Sequence, residues 1–176
     1  MKRTLILLIL ATSLSASAQG LFEKTIIIEI NKFRTENGLD TLVWSGRLYQ
    51  ASYHHAKWVS LTDIFSHTEN LQAGKLKTLK GLEERFIEYG CFNEEVTGQN
   101  ENLVGLAEHE INVAGAQKAV RCWIRSQGHR ENLLFDSENP AKALSVISIA
   151  VCVSPTTHNA YVVMNIGVQA KYRRCR

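Results

Sequence analysis

The chain has 176 residues, of which 45% are hydrophobic and 21% charged, with a formal net charge of +3. That is the length of one domain, and enough to bury a core without dense disulfides or metals. Charges of both signs are mixed along the chain, and the one basic cluster, Lys171–Arg176, reads as a solvated end rather than a nucleic-acid site.

The first residues have the pattern of a secretory signal. Lys2 and Arg3 precede an apolar run from Thr4 to Leu14, too short to span a bilayer in comfort. Ala16-Ser17-Ala18 is a small-residue cleavage signal, so residues 1–18 are expected to leave and 19–176 to form one domain. The expected protein is secreted or periplasmic, with no stable membrane insertion after cleavage. Export also argues against a nucleic-acid partner.

Four cysteines remain: Cys91, Cys122, Cys152 and Cys175. An even count in an exported chain suggests disulfides, with three possible connectivities; buried free thiols are the alternative. If bridges form, Cys122 with Cys152 is the expected pair. No CxxC occurs, so neither a redox motif nor a zinc ribbon is supported.

Phe22, Ile26, Ile30 and Phe33 form a helical stripe over residues 21–37, ended by Gly38. Leu42-Val43-Trp44 is a short apolar link. Ser45 can cap a second helix whose apolar face carries Leu48, Ala51, His55 and Val59. His54 and His55 are neighbours on that helix and point apart, so they cannot share a ligand. Residues 61–75 read as irregular. A third helix is expected over 78–89, with Leu79, Leu82, Phe86 and Tyr89 on one face and Gly90 as its stop. Residues 91–100 have turn composition, and a short segment follows at 100–104. Val113, Ala116, Val120, Trp123 and Ile124 mark a fourth helix. Gly128 is the expected end of that helix, leaving His129 on an ordered corner. Leu144–Val153 and Ala160–Val168 read as two strands of an antiparallel hairpin around a turn at 154–159. Helices followed by a hairpin predict an α+β layered fold.

Six pieces then occur in a telling order: Asn31-x-x-Arg34-x-x-x-Gly38-x-x-x-Leu42-x-Trp44; Leu48-x-x-Ala51-x-x-His54; Phe65-Ser66-His67; Glu101-Asn102-Leu103; Trp123-x-x-Ser126-x-Gly128-His129-Arg130-x-Asn132-Leu133-Leu134; and Met164-Asn165-Ile166-Gly167. Together they resemble the CAP superfamily, also called the SCP domain (cysteine-rich secretory, antigen 5 and pathogenesis-related 1 proteins), in its compact bacterial form. The resemblance implies a three-layer α-β-α sandwich with a small, mainly antiparallel sheet. It also implies a surface cleft where His67, Glu101 and His129 converge. Many members carry a second glutamate three residues after the helix tryptophan; here that position is Ser126.

Two imidazoles with a carboxylate are a divalent-metal set, with Zn2+ or copper favoured. The expected ligands are His67 and His129, with Glu101 as a third candidate, and the same three are the only candidates for catalysis. Ser126, Asn102 and Asn132 are expected to support the cleft. Arg85 resembles a family arginine able to pair with a cleft carboxylate, although a surface charge is the simpler account. Protease and deaminase signatures are missing: His109-Glu110 lacks the second histidine of HExxH, and His129-x-Glu131 has no following PCxxC. The expected function is a secreted, non-catalytic binding module for a small molecule, a lipid included, or for an extracellular partner. The alternatives are a metal-dependent, peptidase-like hydrolase using the same cleft, and a scaffold that acts through its loops.

Overall fold

The computed structural model describes residues 20–73, 76–89, 96–136 and 143–170. The signal segment, Cys91, Cys175, the glycine stop at Gly90 and the basic tail lie outside the described residues. Helix α1 covers residues 20–36 and ends on Gly38, whose φ of 76° only glycine adopts cheaply. Strand β1 is Val43–Trp44, and helix α2 runs Gly46–Thr62 with the Ser45 hydroxyl accepting from the Leu48 N–H. Strands β2 (Glu69–Ala73) and β3 (Leu76–Lys80) form a separate hairpin, and helix α3 is Leu82–Glu88. Strand β4 is Val96–Ala107, followed by a 3-10 turn at Glu108–Glu110. Helices α4 (Val113–Arg125) and α5 (Gln127–Leu133) precede strands β5 (Ala143–Val153) and β6 (Asn159–Ala170).

The main sheet has the order β1-β5-β6-β4. β5 and β6 form the expected antiparallel hairpin, and β4 joins β6 antiparallel with a bulge between Gly98 and Asn100. β1 is the one parallel member and pairs with β5 only at Val146 and Ile147. Alternation along the strands sends side chains to two helical layers. Ile147, Ile149, Val151, Val162, Met164 and Ile166 pack with Phe22, Ile26 and Ile30 of α1, Trp123 of α4 and Leu133 of α5. Val146, Ala150 and Val163 face the other way, onto Leu48, Ala51, Ala56 and Val59 of α2, with α3 beside them. The fold is an α-β-α sandwich.

The structure corrects four local expectations. The region 61–75, read as irregular, contains β2, and its partner β3 takes in Leu79, which was expected in a helix starting at residue 78. β4 is 12 residues long, not a short segment. The break after α4 falls at Ser126, in extended conformation (φ −87°, ψ 124°); Gly128 lies inside α5, and so does His129. Cys122 and Cys152 are both free thiols. Cys122 is exposed on α4, whereas Cys152 packs beside Tyr49 and Tyr53 on the α2 side, so the two lie on opposite layers and no bridge joins them.

Two motif residues of α1 act as clamps. Asn31 gives Nδ2–H to the Leu42 carbonyl (3.1 Å) and accepts the Leu42 N–H (2.7 Å), imitating a strand neighbour. Fully buried Arg34 donates to the carbonyls of Asp40, Leu133 and Phe135, fixing α1 to the exit of α5.

Candidate functional site

Glu101 faces the α2–α3 layer from β4, the edge strand of the sheet, and is 5% exposed. Its two oxygens accept from Arg85 Nη2 at 2.7 and 2.8 Å. Arg85 comes from α3 and is wholly buried; its Nη1 donates to the His67 carbonyl at 2.8 Å. His67 Nδ1 donates to Glu101 Oε1 at 3.0 Å. That bond fixes the neutral ring in the tautomer whose lone pair is on Nε2, on a side chain that is 55% exposed. Behind this group, His55 Nε2 donates to the Ser66 carbonyl (3.0 Å), and His55 Nδ1 is hydrogen-bonded to Glu69 Oε1 at 2.9 Å. His55 Nε2 is also 3.6 Å from Glu101 Oε1, and Arg85 Nε is 3.9 Å from Glu69 Oε1. Four buried ionisable side chains thus anchor the loop that presents His67.

The electrostatics follow from this packing. Burial pushes the Glu101 carboxyl up, but the hydrogen bond from His67 and the charges of Arg85 and His55 outweigh it and hold Glu101 below its ordinary 4.5. His129 is lowered below 6.5, first by burial and then by the charge of His67. The two imidazoles are therefore electrostatic neighbours. α5 is tied to β4 by two amides. Asn102 Nδ2 donates to the His129 carbonyl (3.0 Å), and Asn132 Nδ2 donates to the Glu101 carbonyl (3.2 Å) and to Asn102 Oδ1 (2.8 Å). Ser126 sits between α4 and α5, where its carbonyl accepts the Arg130 N–H. His54 lies outside this group, stacked on Tyr89 at 4.2 Å.

Arg85 is the residue for which the simpler account fails: it is a buried partner of Glu101 rather than a surface charge. Neither His55 nor Glu69 was assigned a role in the site from sequence. His55 shares a face with Leu48, Ala51 and Val59, and an ionisable group on an apolar face signals a buried partner. Nothing of that kind marks Glu69, which reaches the cluster through a hairpin with no apolar alternation.

Glu101 is not free to join a metal centre. Glu101 already gives both oxygens to Arg85, and among the described residues no three His, Cys, Asp or Glu side chains are arranged to hold an ion.

An α-β-α sandwich with a histidine–glutamate–arginine group at the edge strand defines a narrow class of protein. The family model for the cysteine-rich secretory protein family (CAP) matches residues 27–139, well over half of the chain, and the chain belongs to that family. The fold is similar to that of an extracellular protein containing an SCP domain from Bacillus anthracis: TM-score 0.52, 21% identity, 82% of this chain and 39% of that one. It is also similar to an outer surface protein from Borrelia burgdorferi: TM-score 0.57, 17% identity, 84% and 92% of the two chains. The chain thus spans less than half of the Bacillus protein, and at these identities the likeness shows the fold alone. No curated protein sequence matches the chain. Among the described residues no helix is long and apolar enough to cross a membrane.

Proposed function

We propose that the protein is an exported, non-catalytic binding module whose cleft holds a divalent cation weakly through His67 Nε2 and His129, and through it a small ligand or extracellular partner. One observation carries the preference for binding over hydrolysis: the Glu101 carboxylate is consumed by Arg85. A general base must be free to take a proton from an attacking water, and Ser126 stands where many relatives place a second glutamate. Glu101 instead orients His67, as carboxylates do for metal-binding imidazoles. A bound ion would supply a Lewis-acidic contact for a ligand oxygen. Export is supported by the signal-like residues 1–18 and by the two similar structures, one described as extracellular and the other as an outer surface protein.

Calorimetric titration with Zn2+ tests the reading. Wild type is expected to give a saturable heat that His67→Ala and His129→Ala each abolish. Equal heats in all three proteins remove the cation site. Cleavage of a peptide library that disappears in His129→Ala would replace the binding reading with the hydrolase.

A further inference from the structure

Away from the cleft, a groove of about 290 Å3 lies between the start of α1 and Trp44, lined by Gly20, Glu23, Lys24, Ile27 and Trp44. It flanks the side of β5 that β1 leaves uncovered. Ser45 N–H donates to the Ile147 carbonyl, whereas Ser154 N–H donates across the hairpin to Asn159. The odd-numbered residues of β5 therefore turn their backbone groups toward the β1 side, where β1 stops at Trp44. At that open edge the Glu23 carboxyl takes a hydrogen bond from the Val151 backbone, in place of a neighbouring strand.

Among the described residues Glu23 has no cationic partner. Burial pushes its carboxyl up to about 7, opposed only by the Val151 hydrogen bond. Lys24, at the rim, is exposed to solvent. The remaining walls are Ile27 and the indole of Trp44, which is 43% exposed and tilted against Tyr49 at 5.4 Å. A half-buried carboxylate beside an indole and an aliphatic wall is complementary in charge to a cation with an apolar body. The ammonium meets the carboxylate and the ring face, and the hydrocarbon lies along Ile27. We propose that this groove binds a primary alkylammonium ion, with Glu23 as its counter-ion and Trp44 as its aromatic wall. The site is independent of the His67 cleft.

The test uses n-hexylammonium as probe, followed by NMR at the Trp44 indole N–H and the Val151 amide of the purified protein. Saturable shifts at both signals are expected, with hexan-1-ol binding at least about tenfold more weakly because it lacks the charge. Glu23→Gln, which keeps an acceptor for Val151, is expected to weaken hexylammonium by about tenfold or more. The wild type offers a second readout that needs no variant. For a carboxyl titrating near 7, affinity should fall about thirtyfold between about pH 8 and about pH 5.5 as Glu23 takes up a proton. The other titratable groups around it are Lys24 on α1, Tyr49 and Lys57 on α2 and Cys152 on β5. Burial holds Tyr49 above 10.0 and Cys152 at about 11, so neither changes charge in that range. Equal binding of hexanol, equal binding by Glu23→Gln, a flat pH profile or no shift at either signal overturns the proposal.

Discussion

Glu101 concentrates the residue-scale physics of this protein. A carboxylate at 5% exposure is tolerable only because a guanidinium and an imidazole replace its water. Glu101→Gln would leave the fully buried Arg85 without its bidentate carboxylate partner, with only Glu69, 3.9 Å from Nε, to offset its charge. The expected loss is about 3–5 kcal/mol in urea unfolding at neutral pH. A loss below about 1 kcal/mol would mean that water reaches the guanidinium in the variant. The sign of the pH effect is fixed by the direction of the shift. The folded carboxyl lies below 4.5, so its stabilising contribution is complete above that value and disappears as pH falls through the lower, folded one. Arg85 Nε and Asn165 Oδ1 are the two buried side-chain polar atoms without a hydrogen-bond partner among the described residues. The Arg85 atom lies inside this same cluster, which raises the cost of disturbing it.

At the scale of elements, the placement of His129 depends on how α4 begins and ends. Gly115 lies in the first turn of α4, and a Cβ there would come within 1.8 Å of the Glu110 carbonyl oxygen. No rotamer relieves a clash with backbone. Gly115→Ala should therefore destabilise the protein by about 1–3 kcal/mol, read as a lowered urea midpoint. An unchanged midpoint would mean that the 3-10 turn before α4 moves freely. The other end of the helix shows how much of this fold a sequence displays. β5 and β6 were legible because a run such as ISIAV, buried on both faces, has few other structures open to it. The β2–β3 hairpin was not, since ENLQA has no β-branched or aromatic residue and LKTLK has only Thr78 to announce a strand. Gly128 misled for a physical reason: glycine can stop a helix, but here its φ is not positive and Ser126 makes the break. In the site, His67, Glu101 and His129 were visible through family resemblance. So was Arg85, as a family arginine able to pair with a cleft carboxylate; the roles of His55 and Glu69 were not, because a contact between α2 and β2 leaves no periodic trace.

For the molecule as a whole, stability against pH sums contributions of opposite sign. Glu101, together with the more exposed Asp63 and Glu110, favours pH above the ordinary carboxylate range. His129, lowered below 6.5, adds stability as pH rises toward that value. Glu23 acts in reverse. Its folded value of about 7 exceeds 4.5, so its contribution is complete below 4.5 and is lost as pH rises through about 7. Glu23→Gln should therefore gain thermal stability relative to wild type at about pH 8 and gain none at about pH 4.5. Parallel melting curves for the two proteins across that range would show that water already relieves the carboxyl.

The brevity of β1 has a further consequence. Only two of its residues pair with β5, and beyond them a carboxylate of the first helix bonds the Val151 backbone. The run it guards, SVISIAVCV, carries no charge and no proline, which is the composition of segments that stack between chains into cross-β fibres. Helix α1 is thus a guard against self-association as well as part of the core. Local detachment of α1, well short of global unfolding, is the event that would open this protein to aggregation.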